Sequence, residues 1–93
     1  MTVPVQTDFV ETTMATAEDL LTDIGIPEKV VGLQITNLTR DYTIKHNVTG
    51  NERGPILAEV PFTMPTLARG TYDLKDLLIT GQAGDSIRAE YQY

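Results

Sequence analysis

The chain contains no cysteine and no tryptophan, and it has one serine and one histidine. The lack of cysteine removes disulfides, thiolate nucleophiles and cysteine-based zinc clusters together. With Ser86 the only serine and His46 the only histidine, a Ser–His–Asp relay requires those two side chains to meet. Their settings argue against it. His46 alternates with Tyr42, Ile44 and Val48 on the packing side of a strand, and Ser86 follows Asp85 at a strand entrance, where a turn role suits it. Neither "DLKD" nor "GQAGD" has the alternating oxygen ligands of a calcium loop. "TGNERG" has glycines but lacks the Lys-Ser/Thr ending of a phosphate cradle. The expectation is a protein that is not an enzyme and uses no metal or cofactor.

Long apolar runs are also missing. None approaches the ~20 residues that span a bilayer, and "MTVPVQTDFVETT" shows no basic segment leading into an apolar one. These features predict a soluble chain, cytoplasmic at synthesis, with no membrane partner.

Lysine and arginine are absent from residues 1–28, which hold Asp8, Glu11, Glu18, Asp19, Asp23 and Glu28. From Lys29 onward seven acids balance seven bases, so the whole net charge of −6 lies in the leader. No cluster of basic residues offers itself to phosphates, which excludes direct nucleic-acid binding as the leading reading.

What is present is a short helical pattern followed by alternation. In "TAEDLLTDIGIP", Thr16 suits an N-cap, and Glu18 and Asp19 suit a first helical turn. Ala17, Leu20, Leu21 and Ile24 form one apolar stripe. Gly25 suits a left-handed C′ position, with Ile26 folding back on Leu21 as in a Schellman ending, and Pro27 stops further winding. The spacing predicts a helix over about 16–24, too short to stand alone in water.

From Val30 the period becomes two. Val31, Leu33 and Ile35 alternate first, then Tyr42, Ile44, His46 and Val48. A polar loop is expected over 49–55, then a strand over 56–64 that Pro61 assigns to a sheet edge or a bend. Residues 76–80 read as a continuation of the preceding strand or as a new one, with a helical turn over 74–78 as the third reading, and residues 86–93 alternate again. The predicted fold is all-β: a small antiparallel β-sandwich or barrel of five to six short strands, preceded by an extended N-terminal arm and one short helix. Its two parts are an acidic arm over 1–28 and a body over 29–93.

Ninety-three residues make one small domain that buries roughly 60–65% of its unfolded surface, so its core is marginal. Association is the natural compensation. The first functional expectation is therefore a non-enzymatic structural or assembly subunit of a multi-copy complex. Its most concrete form is a virion accessory protein that decorates a capsid or forms part of a tail. Its partners would be copies of itself or a larger structural protein, contacted through Leu20, Leu21, Ile24, Glu18, Asp19 and Asp23. The alternatives are a monomeric module that binds carbohydrate or peptide, and an acidic regulator of a basic partner.

Overall fold

The computed structural model describes residues 5–93, and these are all-β and antiparallel, without a helix. No helix is long and apolar enough to cross a membrane among the described residues. The strands are β1 (Thr7–Thr13), β2 (Glu18–Leu20), β3 (Lys29–Val30), β4 (Gly32–Asn37), β5 (Tyr42–His46), β6 (Glu52–Ile56), β7 (Phe62–Met64), β8 (Tyr72–Asp73), β9 (Leu77–Thr80) and β10 (Ser86–Gln92). They form two four-stranded sheets, in the orders β1-β10-β4-β7 and β2-β9-β5-β6, and a small β3-β8 pair.

Alternation along the strands builds the core. Ile87, Ala89 and Tyr91 of β10 are buried while Ser86, Arg88 and Glu90 are exposed, the pattern of a strand with one covered face. Leu33 and Ile35 from β4 join them, and so do Tyr42 and Ile44 from β5 and Ile79 from β9. One apolar cluster thus draws on both four-stranded sheets. The Tyr42 hydroxyl reaches from one sheet to the other, where the Val60 and Ile35 carbonyls both lie within reach of its single proton. Burial pushes its pKa up to about 12 against the opposing effect of a hydrogen bond at Phe62, so it remains a donor.

The helix expected over 16–24 is replaced by β2 and a turn. Thr16 does accept from the Glu18 amide, at 3.3 Å, and its hydroxyl donates to Asp19 at 2.6 Å. Beyond this local cap, the chain pairs with β9: Glu18 with Thr80, Asp19 with Ile79 and Leu20 with Leu78. A nine-residue helix would gain few bonds for its nucleation cost, whereas β2 gains a ladder at once. The stop signal is nevertheless used. Ile26 donates to the Leu21 carbonyl at 3.2 Å and Gly25 to that of Thr22 at 3.3 Å. With Gly25 at φ +104°, these bonds make a Schellman turn without a helix before it.

Of the residues expected as an arm, 5–28 are described, and two stretches of them join the two sheets, because β1 pairs with β10 and β2 with β9. Residues 52–55, expected as loop, form β6 together with Ile56, which was expected to open the following strand. Pro55 is tolerated there because β6 lies at a sheet edge, where one side of the backbone has no partner strand. Residues 74–80 turn at Lys75–Asp76 and then start a new strand, β9.

Compared position by position, the two sheet orders match strands that are consecutive in the chain: β1 with β2, β10 with β9, β4 with β5, and β7 with β6. Each matched pair is joined by one crossing segment; three of the crossings bond to Asp85 and the fourth, through Glu59, to Asn37 beside it. Its carboxylate is buried and accepts from Asn37 Nδ2 at 3.0 Å, Arg40 Nε at 2.8 Å and the Gln82 amide at 2.8 Å. Its carbonyl accepts from the Met14 amide, and the Asn37 carbonyl accepts from that of Glu59. Burial by itself would raise the Asp85 pKa, but the bonds from Asn37, Arg40 and Gln82, together with the Arg40 charge, outweigh it and hold the pKa below the usual value. Gly81 is required here for space. A Cβ would lie 2.5 Å from Asp85 Oδ2 and 2.7 Å from Asn37 Nδ2.

Two outcomes follow from this architecture. Residues 29–93 alone lose β1, β2 and the core side chains of Met14, Leu21, Ile24 and Ile26, so the fragment should aggregate and show no cooperative thermal transition by circular dichroism. A sharp transition would show the later strands to be self-sufficient. Asp85→Ala leaves buried donors unpaired and should destabilise the chain by about 3 kcal/mol in denaturant titration. Because its folded pKa is depressed, Asp85 stabilises the fold above the unfolded carboxylate pKa of ~3.9 and loses that contribution as pH falls through its own lower pKa. Asp85→Asn should accordingly flatten the acid limb of the stability–pH curve.

Candidate functional site

The last positions of the two sheet orders are β6 and β7, and neither strand has a neighbour on its outer side among the described residues. Between them lies a half-open cleft of about 600 Å³, within the range of ligand pockets. Its apolar lining comes from Ile44, Phe62, Met64, Tyr72 and Leu77, and His46, Glu52 and Arg53 are among its polar residues. Phe62 and Met64 alternate on β7 opposite Ile35 and Leu33 of β4, so the inward face of that edge strand extends the core toward the opening.

The polar groups are partly committed. His46 Nδ1 accepts from the amides of Val48 at 3.3 Å and Thr49 at 3.2 Å. The proton of the neutral ring therefore sits on Nε2, which is left as a donor. The Tyr72 hydroxyl donates to the Pro65 carbonyl at 2.6 Å, which fixes the phenol and leaves the ring for packing. Arg53 and Glu52 enter none of the ion pairs among the described residues. The opening thus combines an apolar floor, one imidazole donor, one cation, one carboxylate and two strand edges. That set suits recognition of an extended chain, in which backbone pairing gives affinity and side-chain pockets give selectivity.

The six side chains expected to meet a partner do not form one surface. Leu21 and Ile24 belong to the chain's own core, and Leu20 is half-buried in β2. Asp19 is buried and accepts from the Ala15 amide at 2.7 Å. Glu18 is exposed and lies 3.5 Å from Lys45, and Asp23 is exposed in the turn. The apolar stripe read as a helix face is an inward turn, because the pattern Leu-Leu-x-x-Ile serves equally for one turn packed on a core.

Ser86 and His46 stand in different sheets, and the Ser86 amide donates to Thr39 Oγ1 at 2.9 Å. Among the described residues no group of three His, Cys, Asp or Glu side chains is placed to hold a metal ion. Glu59 and Glu90 both border a second depression of about 290 Å³, with Arg88 also in its lining.

The cleft itself was not legible as a site. Its residues are dispersed from 44 to 77, and only Pro61, which marks β7 as an edge, hinted at it. Compared with known families, curated proteins and solved structures, the chain matches none of them.

Proposed function

We propose that the protein is a non-catalytic binding and assembly subunit of a larger multi-copy complex, folded as a small two-layer β-sandwich that receives an extended segment of a protein partner along its open side. The observation that carries this reading is the cleft bordered by the edges of β6 and β7. Unpaired strand edges are templates for another chain, and the adjoining apolar floor would accommodate alternate side chains of that segment. The partner is a copy of this chain or a larger structural protein.

The most concrete setting is a virion, as a capsid-decorating or tail component. Its support is compositional: a cysteine-free, serine-poor, threonine-rich β chain of this size suits multi-copy shells. A second reading, a carbohydrate-binding module, draws on Phe62 and Tyr72, whose rings border the same cleft beside polar groups.

Titrating the full chain, labelled with nitrogen-15, with unstructured decapeptides of alternating apolar residues and separately with oligosaccharides tests these readings. Peptides should shift the amides of β6 and β7, and Phe62→Ala should weaken them at least tenfold, which is about 1.4 kcal/mol. Shifts with oligosaccharides alone would favour the second reading. No shift with either would overturn the cleft as a binding site.

A further inference from the structure

We propose that β1 is a self-association edge, at which two copies pair β1 to β1 antiparallel about a twofold axis at Phe9, joining their four-stranded sheets into one continuous sheet of eight. This deepens the assembly reading and rests on it, but it uses the edge farthest in strand order from β7.

The first ground is backbone direction. Gln6 and Tyr93 exchange both of their bonds, at 2.9 Å each, and the Met14 amide donates to Asp85. In an antiparallel ladder such pairs recur at every second residue, so Asp8, Val10 and Thr12 turn their backbone groups toward β10. The N–H and C=O groups of Thr7, Phe9, Glu11 and Thr13 therefore face outward, where no strand pairs with β1 among the described residues. At seven residues, β1 is as long as any strand in the fold.

Side chains set the register. Val10 lies opposite the buried Ala89 on the inner face, which puts Phe9 on the outer face opposite Glu90. Phe9 is 66% exposed. A twofold axis normal to the sheet keeps outer residues opposite outer ones, so it must pass through a residue. An axis at Asp8 or Glu11 sets like carboxylates against each other, and an axis at Thr7, Thr12 or Thr13 leaves at most three residues of β1 overlapping. An axis at Val10 sets Phe9 against Glu11. An axis at Phe9 sets the two rings opposite one another and Thr7 opposite Glu11, with no carboxylate facing its copy. Aromatic cross-strand pairs are the favourable kind.

The lone chain guards this edge. Asp8 Oδ1 accepts from the outward Phe9 amide at 2.8 Å, occupying a donor that another strand would use. Its other oxygen lies 3.5 Å from the Tyr91 hydroxyl. In the dimer that amide passes to the Phe9 carbonyl of the second copy, so Asp8 opposes association through both its bond and its charge.

Sedimentation of the full chain from low micromolar to about 1 mM reads the equilibrium directly. A monomer–dimer equilibrium is expected, tightened by salt because each copy carries −6. Glu11→Pro removes an outward N–H that no intrachain ladder bond uses, so it should weaken dimerisation at least tenfold while the melting temperature stays close to that of the parent. Phe9→Arg, which leaves the backbone intact, should do the same, and Asp8→Ala should tighten the dimer. A chain that stays monomeric throughout, or a dimer unchanged in both Glu11→Pro and Phe9→Arg, would overturn the proposal. If peptides still bind the cleft of such a chain, the self-association edge fails while the assembly reading stands.

Discussion

The buried carboxylate of Asp85 is the constraint on which the rest of the structure depends. A charge taken out of water is costly unless it is paired and hydrogen-bonded, and here Asn37, Arg40 and the Gln82 amide converge on it. Arg40 and Gln82 lie on two different crossings between the sheets, Asn37 ends β4, and backbone bonds from Met14 and Glu59 bring in the other two crossings. No crossing can relax alone without leaving a buried donor or acceptor unmatched. The end of the molecule that holds all four crossings is therefore its most strongly specified part. For a chain too small to rely on core volume, this polar junction supplies specificity that apolar area alone would not.

The same economy governs the acidic leader. In sequence, six acids precede the first base, which reads as a block held apart for a foreign surface. In space the block is distributed. Glu11 lies 3.0 Å from Arg88 and Glu18 3.5 Å from Lys45, each pairing a leader acid with a body base. Asp19 is consumed locally by Thr16 and the Ala15 amide. Exposed pairs of this kind stabilise only slightly, so their meaning is geometric: β1 and β2 are sheet strands whose bases happen to lie later in the chain. Charge segregation along a sequence says nothing of segregation on a surface when antiparallel pairing joins the two ends.

What the sequence made legible was period and punctuation. Alternation located β4, β5 and β10, since a covered face forces every second residue to be apolar. Gly25 and Ile26 announced a Schellman turn, and one formed, because its requirements are local: a residue free to adopt positive φ and an apolar one after it. The helix ahead of it was misread because local cap and stripe signals do not report that β9 lies within reach of Glu18–Leu20. Residues 52–55 were misread for a related reason. Gly54 and Pro55 disfavour a strand paired on both sides, yet an edge strand needs only one side, and edge status is a property of the finished topology. The cleft was hidden for the same cause, being made where the two strand orders end.

Topology also decides where a partner can be met. Matching consecutive strands across the two sheets gathers the crossings between the sheets in one structural group and leaves two sides of strand edge, β1 with β2 and β6 with β7. The two sides differ in length and chemistry. β7 has three residues and borders an apolar cleft, so it offers a short ladder beside side-chain burial. β1 has seven residues and carries one exposed ring and two acids, so an incoming strand gains ladder bonds and must find room for charge. A strand with few aromatics and an alternating polar face pairs well with the second kind of edge and poorly with the first. Neither edge uses a residue on which the Asp85 junction depends, so both remain open in the folded chain.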